Sequence, residues 1–160
     1  MKPVSNKSTY IPGRVYQKIV RLIPIACVDL VVENHRGEVL LLRRKNEPAK
    51  NEWWFPGGRI HFMETRKEAA LRKLKEECGL QGKIAQEVGT FDIIIKSNAH
   101  APSHAVTTVF QILVKRDKVK VDRQSFDYKW LLPPGCLELS KSGFVRRTIR
   151  KIYASHDLSK

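Results

Sequence analysis

The order of apolar and polar residues divides the chain into strand-like and helix-like segments. Runs rich in β-branched residues predict strands, and apolar residues spaced by three and four positions predict amphipathic helices. Strands are predicted over residues 25–34, 38–45, 86–96, 105–115 and 127–131. Helices are predicted over residues 13–23, 65–78 and 143–154. Several strands with a few interspersed helices favour one layered domain of the α/β or α+β class.

Polar, glycine and proline residues separate these segments and set the expected limits of the domain. The HRG turn at 35–37 joins the first two strands into a hairpin, and 46–58 and 97–104 are predicted loops. The Pro-Pro-Gly sequence at 133–135 is predicted to break the chain. We expect a flexible tail over 1–12, a single domain over 13–156 and a short tail over 157–160.

The helix predicted over 65–78 has recognisable ends. Thr65 and Glu68 form a capping-box pattern, and Gly79 is typical of the left-handed residue that follows a helix. One apolar stripe of this helix is expected to pack on the sheet. The stripe consists of Ala70, Leu71, Leu74 and Cys78.

Lys73, Glu76 and Glu77 lie together near the end of this helix. At intervals of three and four residues, the lysine reaches both carboxylates. Acidic residues at a helix C-terminus oppose the helix dipole, so the two glutamates are either a solvated helix end or a site for a bound cation. The helical pattern alone leaves both interpretations open.

Composition excludes several classes of protein. The chain has 160 residues, which suits one domain, and 42% of them are hydrophobic, which excludes a disordered chain. No run approaches the about 20 apolar residues needed to span a bilayer, and no signal peptide is evident. Three cysteines without metal-ligand spacing indicate a reducing compartment, so we expect a cytoplasmic protein with no membrane partner.

The chain is strongly basic, with 30 Lys and Arg residues against 16 Asp and Glu residues and a net charge of +14. Such a surface attracts anions, whether nucleotides, nucleic acid or acidic lipid. The charges are scattered along the sequence, which favours a small anionic substrate over a nucleic-acid partner. A general bias towards basic residues, without a specific partner, is the alternative.

Residues 58–80 resemble the Nudix box. Their sequence, GRIHFMETRKEAALRKLKEECGL, is similar to the family pattern GX5EX7REUXEEXGU, in which U is a bulky aliphatic residue. The matching residues are Gly58, Glu64, Arg72, Leu74, Glu76, Glu77, Gly79 and Leu80. The resemblance implies a Nudix-type α/β/α sandwich with a mixed β-sheet, a Glu64–Arg72 pair that braces the loop to the helix, and carboxylates that face Mg²⁺.

The chain departs from the box at Lys73, where the family has a metal-binding glutamate. The GDP-mannose mannosyl hydrolase branch of the family also lacks that glutamate, and this chain resembles that branch over roughly residues 14–131. The resemblance implies a nucleoside-diphosphate sugar as substrate, with water attacking the anomeric carbon. Because an ammonium repels a further cation, we expect one Mg²⁺ ion, with Mn²⁺ as the other candidate.

The resemblance also implies a set of metal ligands. These are the Gly57 carbonyl, the Glu77 carboxylate and the Gln124 amide oxygen, with Glu76 as a further candidate in a supporting position. Carboxylate, carbonyl and amide oxygens are the ligands that Mg²⁺ prefers in proteins.

Two arginines are the implied ligands of the diphosphate. They are Arg44 and Arg59, whose guanidinium groups suit phosphate, and together with Glu77 they are candidate catalytic residues. Asp29 is implied to contact the substrate, with a buried, hydrogen-bonded aspartate as the alternative. The aromatic run 53–55 favours packing in the core over stacking on a base.

Ser125 occupies the position at which the mannosyl hydrolase branch has its general base, a histidine. An unaided serine is a poor base near neutral pH, so another group must accept the proton. His100 and His104, in the predicted loop 97–104, are the candidate catalytic bases, and a solvated histidine is the alternative for each.

Two other functions remain open from the sequence. A Nudix pyrophosphohydrolase would attack phosphorus in a nucleotide sugar or a nucleotide, and a catalytically weak Nudix-fold protein would bind a nucleotide or nucleic acid. Retention of Gly57, Glu77, Gln124 and both arginines favours an enzyme over a binding protein. The resemblance also implies a homodimer.

Overall fold

The computed structural model describes residues 11–47, 49–96 and 102–154, and the described residues form four helices and seven strands. The helices are α1 (Gly13–Leu22), α2 (Arg66–Cys78), α3 (Pro133–Leu139) and α4 (Gly143–Tyr153). The strands are β1 (Ile25–Glu33), β2 (Val39–Arg44), β3 (Trp53–Trp54), β4 (Gly57–Arg59), β5 (Gly82–Ile95), β6 (Ser103–Val114) and β7 (Ser125–Leu131).

These seven strands form one mixed sheet. Strand β1 is antiparallel to β2 and β4 and parallel to β6. Strand β5 extends the sheet from β6, and both β3 and β7 pair with β2. The predicted hairpin is confirmed, since Glu33 pairs with Val39. The predicted mixed α+β class is therefore confirmed.

Helices pack on both faces of the sheet. Successive side chains of a strand point to opposite faces, so β1 contributes residues to the core on each side. Val28 and Leu30 of β1 cluster with Leu74 of α2 on one face. Val31, which follows Leu30 in the strand, clusters with Phe144 of α4 on the other face. The two clusters give the molecule the layered arrangement of a sandwich.

Helix α2 has the predicted ends, and three of the four residues of its predicted apolar stripe, Ala70, Leu74 and Cys78, are buried. The Thr65 hydroxyl accepts from the Glu68 backbone, the Glu68 side chain reaches back, and Gly79 has a φ of 65°. Leu71, however, is 43% exposed, whereas Lys73 is among the buried residues of the helix. The sheet-facing side is therefore rotated towards Lys73 and away from Leu71.

The segments 46–58 and 133–135 were predicted as a loop and a chain break, but both contain regular secondary structure. The Pro-Pro-Gly sequence begins α3, because proline is compatible with the first turn of a helix. The predicted loop 46–58 contains β3 and the start of β4, which are too short to show a periodic pattern. Within that loop, Trp54 and Phe55 pack on Phe144, with ring centroids 5.5 and 5.9 Å away, as expected for core residues.

Several predictions fall on residues 1–10, 48, 97–101 and 155–160, which are outside the described part of the chain. They include most of the N-terminal tail, the C-terminal tail and His100. The bounds of the domain stay a prediction. Across the described ranges, none of the helices has the length and apolar character needed to cross a bilayer.

Candidate active site

A cavity of about 780 Å³ is lined by residues from α1, α2 and most strands of the sheet. All of the predicted site residues within the described ranges line it. They are Asp29, Arg44, Gly57, Arg59, Glu76, Glu77, His104 and Gln124. His100 lies outside the described residues. The fold thus brings together groups that are up to about 95 positions apart in the sequence.

Glu77 is a buried carboxylate in the cavity wall, with a side chain that is 9% exposed. Its Oε1 atom lies 2.7 Å from Nζ of Lys73, and its Oε2 atom accepts a hydrogen bond from the Gly57 backbone at 3.1 Å. Burial raises the pKa of Glu77, although Lys73 opposes the rise. The carboxylate is therefore fixed in position, but its partners do not fully compensate for the loss of water.

Arg72 and Glu64 form the predicted brace between the loop and α2. Nε and Nη2 of Arg72 donate to the two oxygens of Glu64 at 2.6 and 2.9 Å. Nη2 also donates to the Arg59 carbonyl at 3.1 Å, and Glu64 accepts from the His61 backbone at 2.9 Å. Arg72 Nη1 donates to Glu76 at 2.9 Å, so Glu76 is tied to the brace and half exposed.

Two glycines allow the backbone to pass close to the cavity wall. A Cβ atom on Gly57 would lie 2.3 Å from the Val28 carbonyl oxygen. A Cβ atom on Gly58, which has a φ of +149°, would lie 2.8 Å from Cε of Lys73. The glycines are therefore needed for the approach of β4 to β1 and for the room that the lysine stem occupies.

Arg44 and Arg59 each line the cavity beside an aromatic ring. Cζ of Arg44 lies 5.9 Å from the centroid of the Trp54 ring, and Cζ of Arg59 lies 5.9 Å from that of Tyr16. Cation–π contacts of this kind orient a guanidinium group. Helix α1 thus contributes to the cavity through Tyr16, a residue that the sequence did not single out.

Asp29 fits both of its predicted descriptions, since it is buried and also lines the cavity. Its carboxylate accepts from the Thr107 hydroxyl at 2.7 Å and from Nε1 of Trp54 at 3.1 Å. Burial raises the pKa of Asp29 to about 7, in spite of these two hydrogen bonds. The group therefore changes charge near neutral pH.

Gln124 and Ser125 lie at the start of β7, beside the cavity. Nε2 of Gln124 donates to Asp122 at 3.2 Å, so the amide oxygen is the atom suited to a cation. Ser125 is buried and pairs with Arg44 at an irregularity in the β2–β7 ladder. The position of the expected base therefore carries only a hydroxyl.

His104 lines the cavity and lies at the start of β6, not in a loop as predicted, because β6 begins at Ser103. Its Nε2 atom is buried and has no hydrogen-bond partner among the described residues. The nearest carboxylate contact is with Oδ1 of Asp92, at 3.8 Å. A buried polar atom without a partner is uncommon in a folded protein, so this nitrogen is a candidate for a functional role.

The donor groups of the cavity fit one divalent cation. Among the described residues, no three Asp, Glu, His or Cys side chains form a metal cluster. Glu77 supplies the buried carboxylate, and Gly57 and Gln124, which carry carbonyl and amide oxygens, line the same cavity. Such oxygens suit Mg²⁺, which keeps several water ligands and needs few from the protein. Lys73 lies 2.7 Å from this carboxylate, where its charge opposes the binding of further cations.

The sequence profile described as NUDIX domain matches residues 24–147 of this chain, which is most of its length. The chain belongs to the NUDIX domain family. The predicted Nudix hydrolase class is therefore confirmed, whereas the GDP-mannose mannosyl hydrolase subtype stays a prediction.

This NUDIX domain protein is similar in sequence to two curated relatives. The low-salt glycan biosynthesis protein Agl8 of Haloferax volcanii is 35% identical over 130 residues, which cover 79% of this chain and 83% of Agl8. An ADP-ribose pyrophosphatase of Methanocaldococcus jannaschii is 34% identical over 89 residues, which cover 56% of this chain. That match spans only 50% of the pyrophosphatase.

Solved structures share the fold of this NUDIX domain protein. A MutT protein from Methanosarcina mazei matches with a TM-score of 0.70 and 23% identity, covering 86% of this chain and 99% of that one. The NUDIX domain of NrtR from Shewanella oneidensis, solved with ADP ribose, has a TM-score of 0.70 and 19% identity, covering 91% of this chain and 99% of that one. These similarities confirm the predicted Nudix-type sandwich.

Some features of the NUDIX site had no signal in the sequence. The hydrogen bonds of Asp29 to Trp54 and Thr107 join residues 25 and 78 positions apart. The deep burial of Glu77 follows from the rotation of α2 on the sheet. The pattern of apolar residues in the helix did not predict this rotation. Tyr16 could be found only as one aromatic residue on the predicted first helix.

Proposed function

We propose that this Nudix hydrolase cleaves a nucleoside-diphosphate sugar by water attack at the anomeric carbon, releasing the nucleoside diphosphate and the free sugar. The observation that carries the proposal is a cavity in which one buried carboxylate is paired with a lysine and two predicted phosphate-binding arginines line the same wall. These residues are Glu77, Lys73, Arg44 and Arg59. Such a wall suits a diphosphate leaving group better than a cluster of metal ions around phosphorus.

The relatives support a sugar-linked substrate. Agl8 is a glycan biosynthesis protein, and ADP-ribose, the substrate named for the second relative, also joins a sugar to a nucleoside diphosphate. The resemblance to the mannosyl hydrolase branch makes GDP-mannose the first substrate to test.

The diphosphate would be bound by both arginines and by a metal ion. Arg44 and Arg59 would donate to its oxygens, since a guanidinium group matches phosphate geometry. Glu77, Gly57 and Gln124 would hold one Mg²⁺ or Mn²⁺ ion, and Glu76 would support them. The ion would neutralise charge on the departing diphosphate.

His104 would accept the proton of the attacking water. In this step the water oxygen bonds to the anomeric carbon, and the bond from that carbon to the phosphate oxygen breaks. The electron pair of the broken bond leaves with the diphosphate, and the water proton goes to the imidazole. The buried Nε2 atom of His104, without a partner among the described residues, is the observation behind this assignment. His100 stays the second candidate base.

Asp29 would contact the substrate from β1. Its carboxylate is held by Thr107 and Trp54 and lines the same cavity as the arginines, so it is suited to accept a hydrogen bond from a substrate hydroxyl.

A second candidate function is attack at phosphorus, as in a Nudix pyrophosphohydrolase. The relationship to an ADP-ribose pyrophosphatase favours it. The reaction would release a nucleoside monophosphate and a sugar phosphate from the same class of substrate. A catalytically weak binding protein is less well supported, because the phosphate-binding and metal-binding residues line one cavity.

Product analysis separates these functions. The protein is incubated with Mg²⁺ and, in separate reactions, with GDP-mannose, UDP-glucose, ADP-glucose and ADP-ribose, and the products are resolved by anion-exchange chromatography. A nucleoside diphosphate plus free sugar from GDP-mannose, UDP-glucose or ADP-glucose supports the proposal, whereas ADP-ribose, whose terminal ribose is joined through its C5 oxygen, reports only attack at phosphorus. A nucleoside monophosphate plus sugar phosphate supports attack at phosphorus instead. No turnover of any of the four substrates would overturn both hydrolase proposals.

The predicted homodimer and cytoplasmic location are further expectations. Sedimentation velocity with the purified chain tests the first, and a single species at the monomer mass would contradict it.

A further inference from the structure

Lys73 is a buried cation on the wall of the cavity, and the roles assigned above give it no contact with substrate. Its side chain is 10% exposed, and its Nζ atom lies 2.7 Å from Oε1 of Glu77. Lysine is rarely buried to this extent unless its charge is paired. The pairing with Glu77 explains how the ammonium is tolerated there, but not why it faces a cavity.

The backbone beside Lys73 is shaped to leave room for it. A Cβ atom on Gly58 would lie 2.8 Å from Cε and 3.2 Å from Nζ of the lysine. Gly58 begins the Nudix box and has a φ of +149°, which side-chain-bearing residues rarely adopt. The loop therefore leaves room for the lysine stem, and the ammonium lies between the loop and the end of α2.

The ammonium has capacity for a further partner. An ammonium group has three N–H donors, and Glu77 takes one of them at 2.7 Å. Oε2 of Glu76 is 3.8 Å away, which is beyond hydrogen-bond length. In the described part of the chain, with Glu77 bound and Glu76 too distant, two N–H donors of Lys73 remain for an anion that enters the cavity.

The surroundings of Lys73 indicate which anion that would be. Arg44 and Arg59 line the same cavity, as do Arg21 and Arg72, so five lysine and arginine side chains share it with the carboxylates of Asp29, Glu47, Glu76 and Glu77. A diphosphate carries enough charge to meet several cations at once, whereas a neutral sugar does not. A second divalent ion, in contrast, would be repelled by the ammonium beside Glu77.

We propose that Lys73 is a tethered cation of the diphosphate subsite, which binds a diphosphate oxygen directly and takes the place of one metal ion. This inference rests on the proposed diphosphate substrate. The cavity therefore binds a diphosphate even without a divalent ion, and it takes up one such ion rather than two or more.

Binding of inorganic pyrophosphate in the presence of EDTA tests the first consequence, because this probe has neither base nor sugar. Calorimetry should detect binding to the unmodified protein. Lys73→Met should weaken it about 10- to 100-fold, the usual effect of losing one charge-assisted hydrogen bond. Lys75→Met is the matched control, because Lys75 is exposed on the same helix, and its affinity should be unchanged.

Two results would overturn the proposal. One is an unmodified protein that fails to bind pyrophosphate in EDTA, and the other is equal affinity of the unmodified protein and a Lys73→Met variant with an intact circular dichroism spectrum. The first result needs no variant, so poor folding of Lys73→Met does not leave the proposal undecided.

Counting bound Mn²⁺ by electron paramagnetic resonance tests the second consequence. The unmodified protein should bind one ion per chain. Lys73→Glu should bind at least one more, since it adds a carboxylate where the ammonium was, and Lys75→Glu should still bind one. Two or more ions in the unmodified protein would contradict the proposal.

These readouts separate the inference from the proposed function. If pyrophosphate and Mn²⁺ bind as expected but no nucleotide sugar is cleaved, the assignment of Lys73 stands and the proposed function fails. If nucleotide sugars are cleaved at carbon but pyrophosphate binds only with metal, the proposed function stands and the assignment of Lys73 fails.

Discussion

Two ion pairs begin at neighbouring residues of α2 and have different chemistry. Arg72 binds Glu64 through two hydrogen bonds, which lower the pKa of that carboxyl group. Lys73 meets Glu77 through one contact of 2.7 Å, and burial raises the pKa of Glu77 in spite of it. Both pairs are mostly shielded from water, with side-chain exposures of 21% and 14% for the first and 10% and 9% for the second.

The difference separates a stabilising pair from a functional one. The Arg72–Glu64 pair has bidentate geometry and extra bonds to the Arg59 carbonyl and the His61 backbone, so its charges are well compensated. The Lys73–Glu77 pair has one short contact and lines the cavity, where further N–H donors of the ammonium remain for the proposed anion. We therefore expect the first pair to contribute mainly to stability and the second mainly to activity.

The double variant Lys73→Met/Glu77→Gln should give the largest effect. We expect kcat/KM to fall about 100- to 1,000-fold, as when charged groups that stabilise a transition state are removed. The free energy of unfolding should stay within about 1 kcal/mol, because the glutamine still accepts from the Gly57 backbone and the methionine fills the place of the lysine stem. Steady-state kinetics and urea denaturation measure the two quantities. A large loss of stability with activity retained would reverse the assignment of the two pairs.

His104→Ala tests whether the reaction in the cavity beside the Lys73–Glu77 pair uses His104 as its general base. We expect kcat to fall about 100-fold, the typical contribution of a positioned general base, with KM little changed. Added imidazole should restore part of the rate by occupying the vacated space. His35→Ala, on the hairpin turn, is the control. A rate equal to that of the unmodified protein would exclude His104 as the base and leave His100 as the candidate.

Glu64→Gln probes the stabilising pair. The free energy of unfolding should fall by about 1.5–3 kcal/mol, the range for hydrogen bonds between charged groups. Glu76→Gln removes a partner of the same arginine at a half-exposed position and should cost less than about 1 kcal/mol. Urea denaturation at neutral pH measures both. Equal losses for the two variants would contradict the special geometry of the Glu64 pair.

The stabilising pair should also respond to acid. The pKa of Glu64 is lowered in the folded protein, so its contribution to stability is present above its unfolded pKa and is lost as the pH falls through the folded value. The difference in unfolding free energy between the unmodified protein and Glu64→Gln should therefore shrink as the pH is lowered from neutral to below the unfolded pKa of Glu64. Denaturation curves over this range measure it, and a difference that grows towards acid pH would be contrary to the account.

Gly58→Ala should act selectively on the functional pair. Gly58 and Gly37 both have positive φ values, so either alanine costs about 1–3 kcal/mol in backbone strain. Only at Gly58 does the added Cβ meet Lys73, whereas nothing lies within 4 Å of a Cβ at Gly37. Kd for pyrophosphate should therefore rise only in Gly58→Ala. An unchanged Kd would mean that the glycine does not fix the lysine.

Local sequence patterns predicted the parts of the fold that depend on neighbouring residues. The caps of α2 at Thr65 and Gly79 depend on short spacings and were predicted. Strands β3 and β4 were missed because two or three residues carry no period, and α3 was missed because two prolines suggest a break. Leu71 was wrongly assigned to the core, since the rotation of α2 is set by tertiary packing.

The candidate site was predictable where a motif fixed it and not where the fold assembled it. Spacing alone put Lys73 beside Glu77, and the distance of 2.7 Å bears this out. The partners of Asp29 come from β3 and β6, and the ring beside Arg59 comes from α1. These contacts depend on strand order and on the docking of a helix, which one sequence does not reveal.

The fate of the water oxygen tests the central claim most directly. The reaction is run in ¹⁸O-labelled water with GDP-mannose, or with whichever nucleotide sugar is turned over, and the nucleotide product is analysed by mass spectrometry. Attack at the anomeric carbon predicts a nucleoside diphosphate without label, since its phosphate oxygens all come from the substrate. Label in a phosphate group of the nucleotide or of a sugar phosphate would contradict the account and assign the chain to attack at phosphorus.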